Sequence, residues 1–292
     1  EAVIAARIAK LPEEVQTLLT VASVEGETFT AEVVTRALGL PAGTVQRTLS
    51  GPLPTAHWVA AQGLERAGRH RVARYRFRHS LSQQYLYDRL DPVQRARWHE
   101  AVALALEALY ADQPEAAVRL AHHFEAAGLL EKAVTYLTRA GAHTYRLSAP
   151  ADAINLYRRG LALLEQMPES TARDRQELAL QMGLNTPLFA AQGWGAPERA
   201  AALDRAHVLT QRLEATPQML SILRSLIDVK TAQAQHRQAL TYAERLAALV
   251  PQVDDSVYEV LSHRTLGVSH FFLGHHQEAR AHLEKGIACY DA

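Results

Sequence analysis

Apolar residues recur at helical spacing along most of this chain, and proline, glycine and short polar runs cut the pattern into segments of ordinary helix length. Leu11-Pro12-Glu13-Glu14 opens the first clear helix, because a proline and two acids suit a first turn. Val15, Leu18, Leu19 and Ala22 continue it until Glu25-Gly26-Glu27 stops it. Thr30 is positioned to cap a second helix through Val33, Val34 and Ala37, ending at Gly39. A third spans Thr44 to Leu49, is interrupted by Gly51-Pro52 and Pro54, and is followed by a short helix from Thr55 to Gln62. The one β signal comes next. Leu64 and Glu65 lead into Gly68-Arg69-His70, and Val72 to Phe77 returns with alternating character. Three helices followed by a β-hairpin describe a winged helix.

Ser80 to Leu90 is helical, and Asp91-Pro92 caps a long helix through Trp98, Val102, Leu106 and Leu109. From Pro114 onward the pattern predicts only helices, with turns at Gly128, Ala149-Pro150, Gly193-Trp194-Gly195, Gln235-His236 and Gly274. The expected architecture is mainly α. A winged-helix domain over 1–90 and a connecting helix over 91–113 precede a tetratricopeptide-like α-α superhelix over 114–292.

The repeat carries the fold assignment. Leu266-Gly267, Gly274, Ala279, Leu283 and Gly286 follow tetratricopeptide spacing. Gly267, Ala279 and Gly286 are small where helices must approach closely, Leu266 and Leu283 fill the volume beside them, and Gly274 supplies a positive-φ helix end. An earlier copy runs through Ala121, Phe124, Gly128, Ala133, Leu137 and Ala140, and a looser one through Ile227, Ala234, Ala239 and Leu246. Ala239 and Ala279 stand 40 residues apart, against about 34 for the standard repeat, so the array is irregular. Stacked pairs present a concave face that binds a protein partner or peptide.

Composition adds little that is positive. Lys+Arg and Asp+Glu are 31 each, so no global field draws the chain to nucleic acid or membrane. No apolar run approaches the roughly 20 residues of a bilayer span. A single cysteine, Cys289, fits a reducing cytoplasm. The start, without Met and inside a helical pattern, and the end at Tyr290-Asp291-Ala292, without a polar capping helix, are read as those of a piece of a longer protein whose array continues.

Candidate chemistry is sparse. No Gly-x-x-x-x-Gly-Lys-Ser/Thr run is present, and neither a nucleophile elbow nor a paired-carboxylate cleft can be argued from spacing, so the chain is read as non-catalytic and without a cofactor of its own. Arg66, Arg69, Arg71, Arg74, Arg76 and Arg78 make the hairpin basic, which raises the alternative of a DNA-binding winged-helix transcriptional regulator with a repeat-based sensor. Against it, Thr44 to Leu49 offers only Arg47 as a charged base-reader. Among the 14 histidines, His263, His270, His275, His276 and His282 cluster in sequence, but His99-Glu100 lacks the second histidine of a metalloprotease helix and no cysteine lies at zinc-site spacing; packed or solvated histidines are the expectation. Trp194, between two glycines, is expected to plug the gap between adjacent helix pairs.

Several stretches carry a family likeness: Arg76-Phe77-Arg78-His79-Ser80-Leu81, Tyr85-Leu86-Tyr87, Ala121-His122-His123-Phe124-Glu125-Ala126-Ala127-Gly128, Ala191-Gln192-Gly193-Trp194-Gly195-Ala196-Pro197-Glu198, and Phe272-Leu273-Gly274 through Tyr290. With them the chain resembles the region that follows the nucleotide-binding domain in bacterial signal-transduction ATPases with numerous domains, in the subgroup fused to adenylate or guanylate cyclase or protein kinase domains. The resemblance implies an ATPase domain upstream in the same protein, ATP or ADP bound there, and repeats that read a signal. It also implies one site residue. His79 takes the place of a histidine at the end of the wing that touches the ADP phosphates in related ATPases, here with Arg78 and Ser80 flanking it instead of Met and Asp.

Overall fold

Helices occupy most of residues 2–68, 70–252 and 256–290, which the computed structural model describes, and one small antiparallel sheet interrupts them. The fold is mainly α, with a three-stranded sheet and a tetratricopeptide-like helical superhelix. Backbone contacts divide it into two units, Glu1–Ala140 and Gly141–Ala292.

The first unit opens with α1 (Ala2–Ile8), α2 (Glu13–Glu25), β1 (Thr28–Thr30), α3 (Ala31–Leu38), α4 (Ala42–Ser50) and α5 (Pro52–Thr55). The hairpin β2 (Val59–Ala67) and β3 (His70–Phe77) follows, and β1 joins the other edge of β3 to give the order β1-β3-β2. Helices α6 (Ser80–Asp88), α7 (Pro92–Tyr110) and α8 (Ala117–Ala126) come next, with a 3-10 turn at Pro114–Ala116 before α8. The division between units falls within α9 (Leu130–Arg146).

Two details correct the sequence reading. The helix expected from Thr55 to Gln62 ends at Thr55, and Val59 onward is strand: Val59 pairs with Phe77, Ala60 with Arg76 and Ala61 with Tyr75. Val-Ala-Ala-Gln has no strong local preference, so pairing with a distant strand and burial of Val59 decide its conformation. The register shifts between Ala61 and Gly63, where Gly63 takes φ +127°. The second detail is β1, three residues with too little pattern to read alone. It is fixed by Phe29, fully buried with its ring centroid 5.9 Å from that of Tyr75 and 5.3 Å from that of Phe77. Thr30 stands at the cap position of α3 but makes no side-chain cap. Its N–H and hydroxyl instead donate to the buried Glu25 carboxylate, at 3.0 and 2.8 Å. Asp91 does cap α7, accepting from Val93 and Gln94 N–H at 2.9 Å.

In the second unit α10 (Pro150–Leu164), α11 (Thr171–Gln192), α12 (Pro197–Arg212), α13 (Thr216–Ala232), α14 (His236–Leu249), α15 (Ser256–Phe272) and α16 (His276–Tyr290) each pack on the next, and α13 also meets α15. Alternate helices therefore share a face. Turns beyond those read from the sequence occur after α10 and at Leu213–Ala215, where Glu214 takes φ +52° without a glycine to mark it. Close approach is built from missing side chains. Tyr157 is held between Gly141 and Gly183, where an added Cβ would sit 2.7 and 2.5 Å from its ring. At Gly267 a Cβ would lie 2.7 Å from Leu283. Among the described residues no helix is long and apolar enough to cross a membrane.

Candidate functional site

The residues singled out in the sequence fall at different depths. Ala121, Ala133, Ala140, Ala239 and Ala279 are buried, as are Gly267 and Gly286, while Gly128 and Gly274 take φ +76° and +81° at helix ends. His79 lies on the extended residue before α6, exposed and making no side-chain cap. Of the hairpin arginines, Arg76 is held by Glu27 at 2.8 Å and Arg74 by Glu65 at 3.5 Å, while Arg69 lies outside the described residues.

Two groups of histidines gather ring to ring, and hydrogen bonds join their members in pairs. His263 and His282 bring their Nδ1 atoms to 3.2 Å, and His270 and His275 to 3.3 Å. Among the described residues no group of three or more His, Cys, Asp or Glu could hold a metal ion. A third pair lies buried in the first unit. Tyr87 Oη is 2.9 Å from His99 Nε2, and His99 Nδ1 is 2.9 Å from His123 Nδ1. With the tyrosine hydroxyl donating, His99 carries its proton on Nδ1 and donates it to His123 Nδ1, so the contact between the two rings is satisfied when both are neutral. Burial, with neighbouring cations and imidazoles, lowers His99 to about 4 and His123 to about 3. No sequence signal joins these two helices' histidines, because the pair depends on packing.

A surface open to a partner is the face shared by α11, α13 and α15. Asn185 and Phe189, Arg224, Asp228 and Thr231, and Arg264, Val268 and Phe271 follow one another at i, i+4 and i+7 on their helices, which puts each set on one stripe. The stripes are in phase because the array repeats. Ala200, Ala239 and Ala279, each the fourth residue of α12, α14 or α16, are buried and stand 39 and 40 residues apart, and Asn185, Arg224 and Arg264 share that spacing. Trp194 does not plug a gap, as expected from sequence: it is 55% exposed, edge-on to Phe189 at 4.6 Å between centroids. The loop's path explains this. Gly193, at φ +92°, turns the chain out of α11, and the loop is held at the end of α13 by Gln233, whose side chain donates to the Gly195 carbonyl at 3.1 Å. A cleft of about 250 Å³ results, bounded by Trp194, Ile227, Asp228, Thr231, Arg264 and Val268. Beneath it Arg199, 4% exposed, donates to Asn185 Oδ1 and the Trp194 carbonyl, both at 2.8 Å, and Asn185 donates on to Ser225 at 3.1 Å.

The α13 and α15 stripes fall inside a family match that α11, Trp194 and Arg199 precede. Residues 218–292 match the tetratricopeptide repeat family model. Such repeats generally mediate protein–protein interactions through surfaces of this kind, and no catalytic family is indicated. An uncharacterized protein of Rhizobium meliloti (strain 1021) is 25% identical over 225 residues, 74% of this chain and 21% of its own length. The chain thus spans about a fifth of that relative. Among solved structures, the signal transduction ATPase with numerous domains with a tetratricopeptide repeat sensor from Pyrococcus horikoshii aligns with 97% of this chain and 51% of its own, at TM-score 0.46 and 11% identity. BtubC from P. vanneervenii aligns over 72% of this chain and 76% of its own, at TM-score 0.26 and 12% identity.

Proposed function

We propose that this chain is the non-catalytic regulatory and protein-interaction region of a multidomain cytoplasmic signalling ATPase, of the kind fused to cyclase or kinase domains. The repeats read a partner on the α11, α13 and α15 face, and the N-terminal helices and hairpin form a winged-helix latch on the ATPase domain. The observation that carries the reading is that face: three helix stripes in phase, with a half-exposed tryptophan and an open cleft, the α13 and α15 stripes lying inside the stretch that matches tetratricopeptide repeats. Binding there shifts a domain contact only if the partner prefers one state of the latch. The exposed, uncapped His79 supports a role for its imidazole as a donor to an ADP phosphate held by the ATPase domain. The hairpin gives less support to DNA binding, since Arg74 and Arg76 are already engaged by carboxylates.

The test is nucleotide exchange in the full-length protein. His79→Ala is expected to speed release of a fluorescent ADP analogue about tenfold, the loss of one charge-assisted contact, with helix content unchanged. An unaltered release rate would remove the latch role of His79.

A further inference from the structure

The face described above carries an imbalance of charge that names its occupant. Three guanidinium groups, those of Arg199, Arg224 and Arg264, surround one carboxylate, Asp228, whose pKa is raised first by burial, while all three arginines pull it down. Arg224 is the one in ion-pair contact, at 3.9 Å along the same helix. Among the described residues Arg264 has no carboxylate at ion-pair distance, and it is exposed at the rim of the cleft. Arg199 is the unusual member. It is buried, yet both of its hydrogen bonds go to uncharged acceptors, an amide and a backbone carbonyl. Its guanidinium carbon lies 5.6 Å from the Phe189 ring and 6.0 Å from the Trp194 ring, contacts that soften a desolvated cation without neutralising it. Asp228 offsets part of that burial, but it shares its charge with Arg224 and Arg264, so the buried guanidinium stays costly. A carboxylate supplied from outside would relieve it.

The cleft adds the second requirement. Trp194, Ile227 and Val268 give the cleft apolar lining, its volume of about 250 Å³ admits one large side chain, and Arg264 lines it too. We propose that this face takes an acidic peptide segment of a partner protein, its carboxylates at the exposed Arg264 and Arg224, above the buried Arg199, and one bulky apolar side chain against Trp194. The chain's formal net charge is zero, so the attraction is local and salt-sensitive. A basic segment would meet three cations and one anion. The assignment rests on the reading of this face as the partner surface and sharpens it to one chemistry.

The experiment uses the whole chain and three fluorescein-labelled probe peptides followed by anisotropy: Glu-Asp-Glu-Phe-Leu-Glu-Asp-Glu, the same peptide with lysine at every acid, and the acidic peptide with serines for Phe-Leu. The first is expected to bind, more weakly as salt rises, and the other two at least about tenfold more weakly. Arg264→Glu and Trp194→Ala should each weaken the first by about tenfold or more. Both side chains are exposed, so thermal unfolding should be unchanged. Tighter binding of the lysine peptide, lost in Trp194→Ala, would overturn the acidic assignment and leave the face as a partner surface. Binding indifferent to both variants, or no binding of any probe, would overturn this inference, while nucleotide release in His79→Ala tests the latch independently.

Discussion

The two units solve the burial problem differently. In the first, residues far apart in sequence close on one another once only: Thr28 pairs with Arg76, Phe29 lies between Tyr75 and Phe77, and Ala73 N–H donates to Glu32 at 2.9 Å. In the second, each helix meets its neighbours in sequence, and one device, a small residue under a large one, is used repeatedly at Gly141, Gly160, Gly183 and Gly267. The lesson concerns how far damage travels. A unique, interlocked core fails as a whole, whereas a chain of nearest-neighbour seams fails near the lesion.

The largest effect that would test this contrast is Phe29→Ala. The side chain is fully buried at the junction of β1 and β3, and its removal should cost about 3–5 kcal/mol. Hydrogen exchange read by mass spectrometry should show protection falling together in α2, α3 and all three strands, while α12 to α16 stay protected. Loss confined to β1 would break the comparison.

Gly183→Val attacks the other unit. Its first added carbon would sit 2.5 Å from a Tyr157 ring that Gly141 confines from the opposite side, so the ring cannot retreat. We expect a loss of about 3 kcal/mol, at the upper end of overpacking costs, in urea unfolding followed by far-UV circular dichroism. Exchange should accelerate in α10 and α11 and little in α15 and α16. Uniform acceleration through α16 would mean that the second unit is as interlocked as the first.

The same contrast explains what could be read in advance. Gly274 and Ala279 were legible because a left-handed helix end and a helix–helix near-contact each admit few residue types, and the spacing recurs. Asp91-Pro92 was legible because a cap is decided within four residues. The strand at Val59 was misread, because only its partner around Phe77, eighteen positions on, makes it a strand. Within the candidate face, Trp194 was noticed but placed wrongly, since its exposure depends on where Gly195 meets α13. Arg199 was missed altogether. Nothing in Glu198-Arg199-Ala200 distinguishes an arginine turned inward under a tryptophan from one on a solvated helix face.

The smallest effect separates the units by acid rather than by mutation. His99 and His123 are neutral and hydrogen-bonded to one another in the first unit, with burial the main cause of their lowered pKa values. For a base whose folded pKa is depressed, the unfolded chain binds the proton first. The stability these rings contribute is therefore complete above the unfolded value of about 6.5 and declines as pH falls toward about 4. The surrounding charges push the same way: Arg95 and His122 face His99, and Arg119 and His122 face His123. Glu25, raised by burial, works oppositely, since its proton is held more firmly in the folded state and its contribution grows as pH falls. It acts in the same window, where the folded carboxyl takes up a proton that the unfolded one still gives up, so it offsets part of the histidines' loss. Between pH 6.5 and 5 the first unit should lose on the order of 2 kcal/mol, seen as earlier loss of exchange protection in α7 and α8 than in α10 and α11, which carry no histidine. The double variant His99→Phe with His123→Leu should flatten that slope whether or not it is less stable at pH 7. A slope that survives the substitution would assign the acid sensitivity to other groups and leave the two units alike in their response to protons.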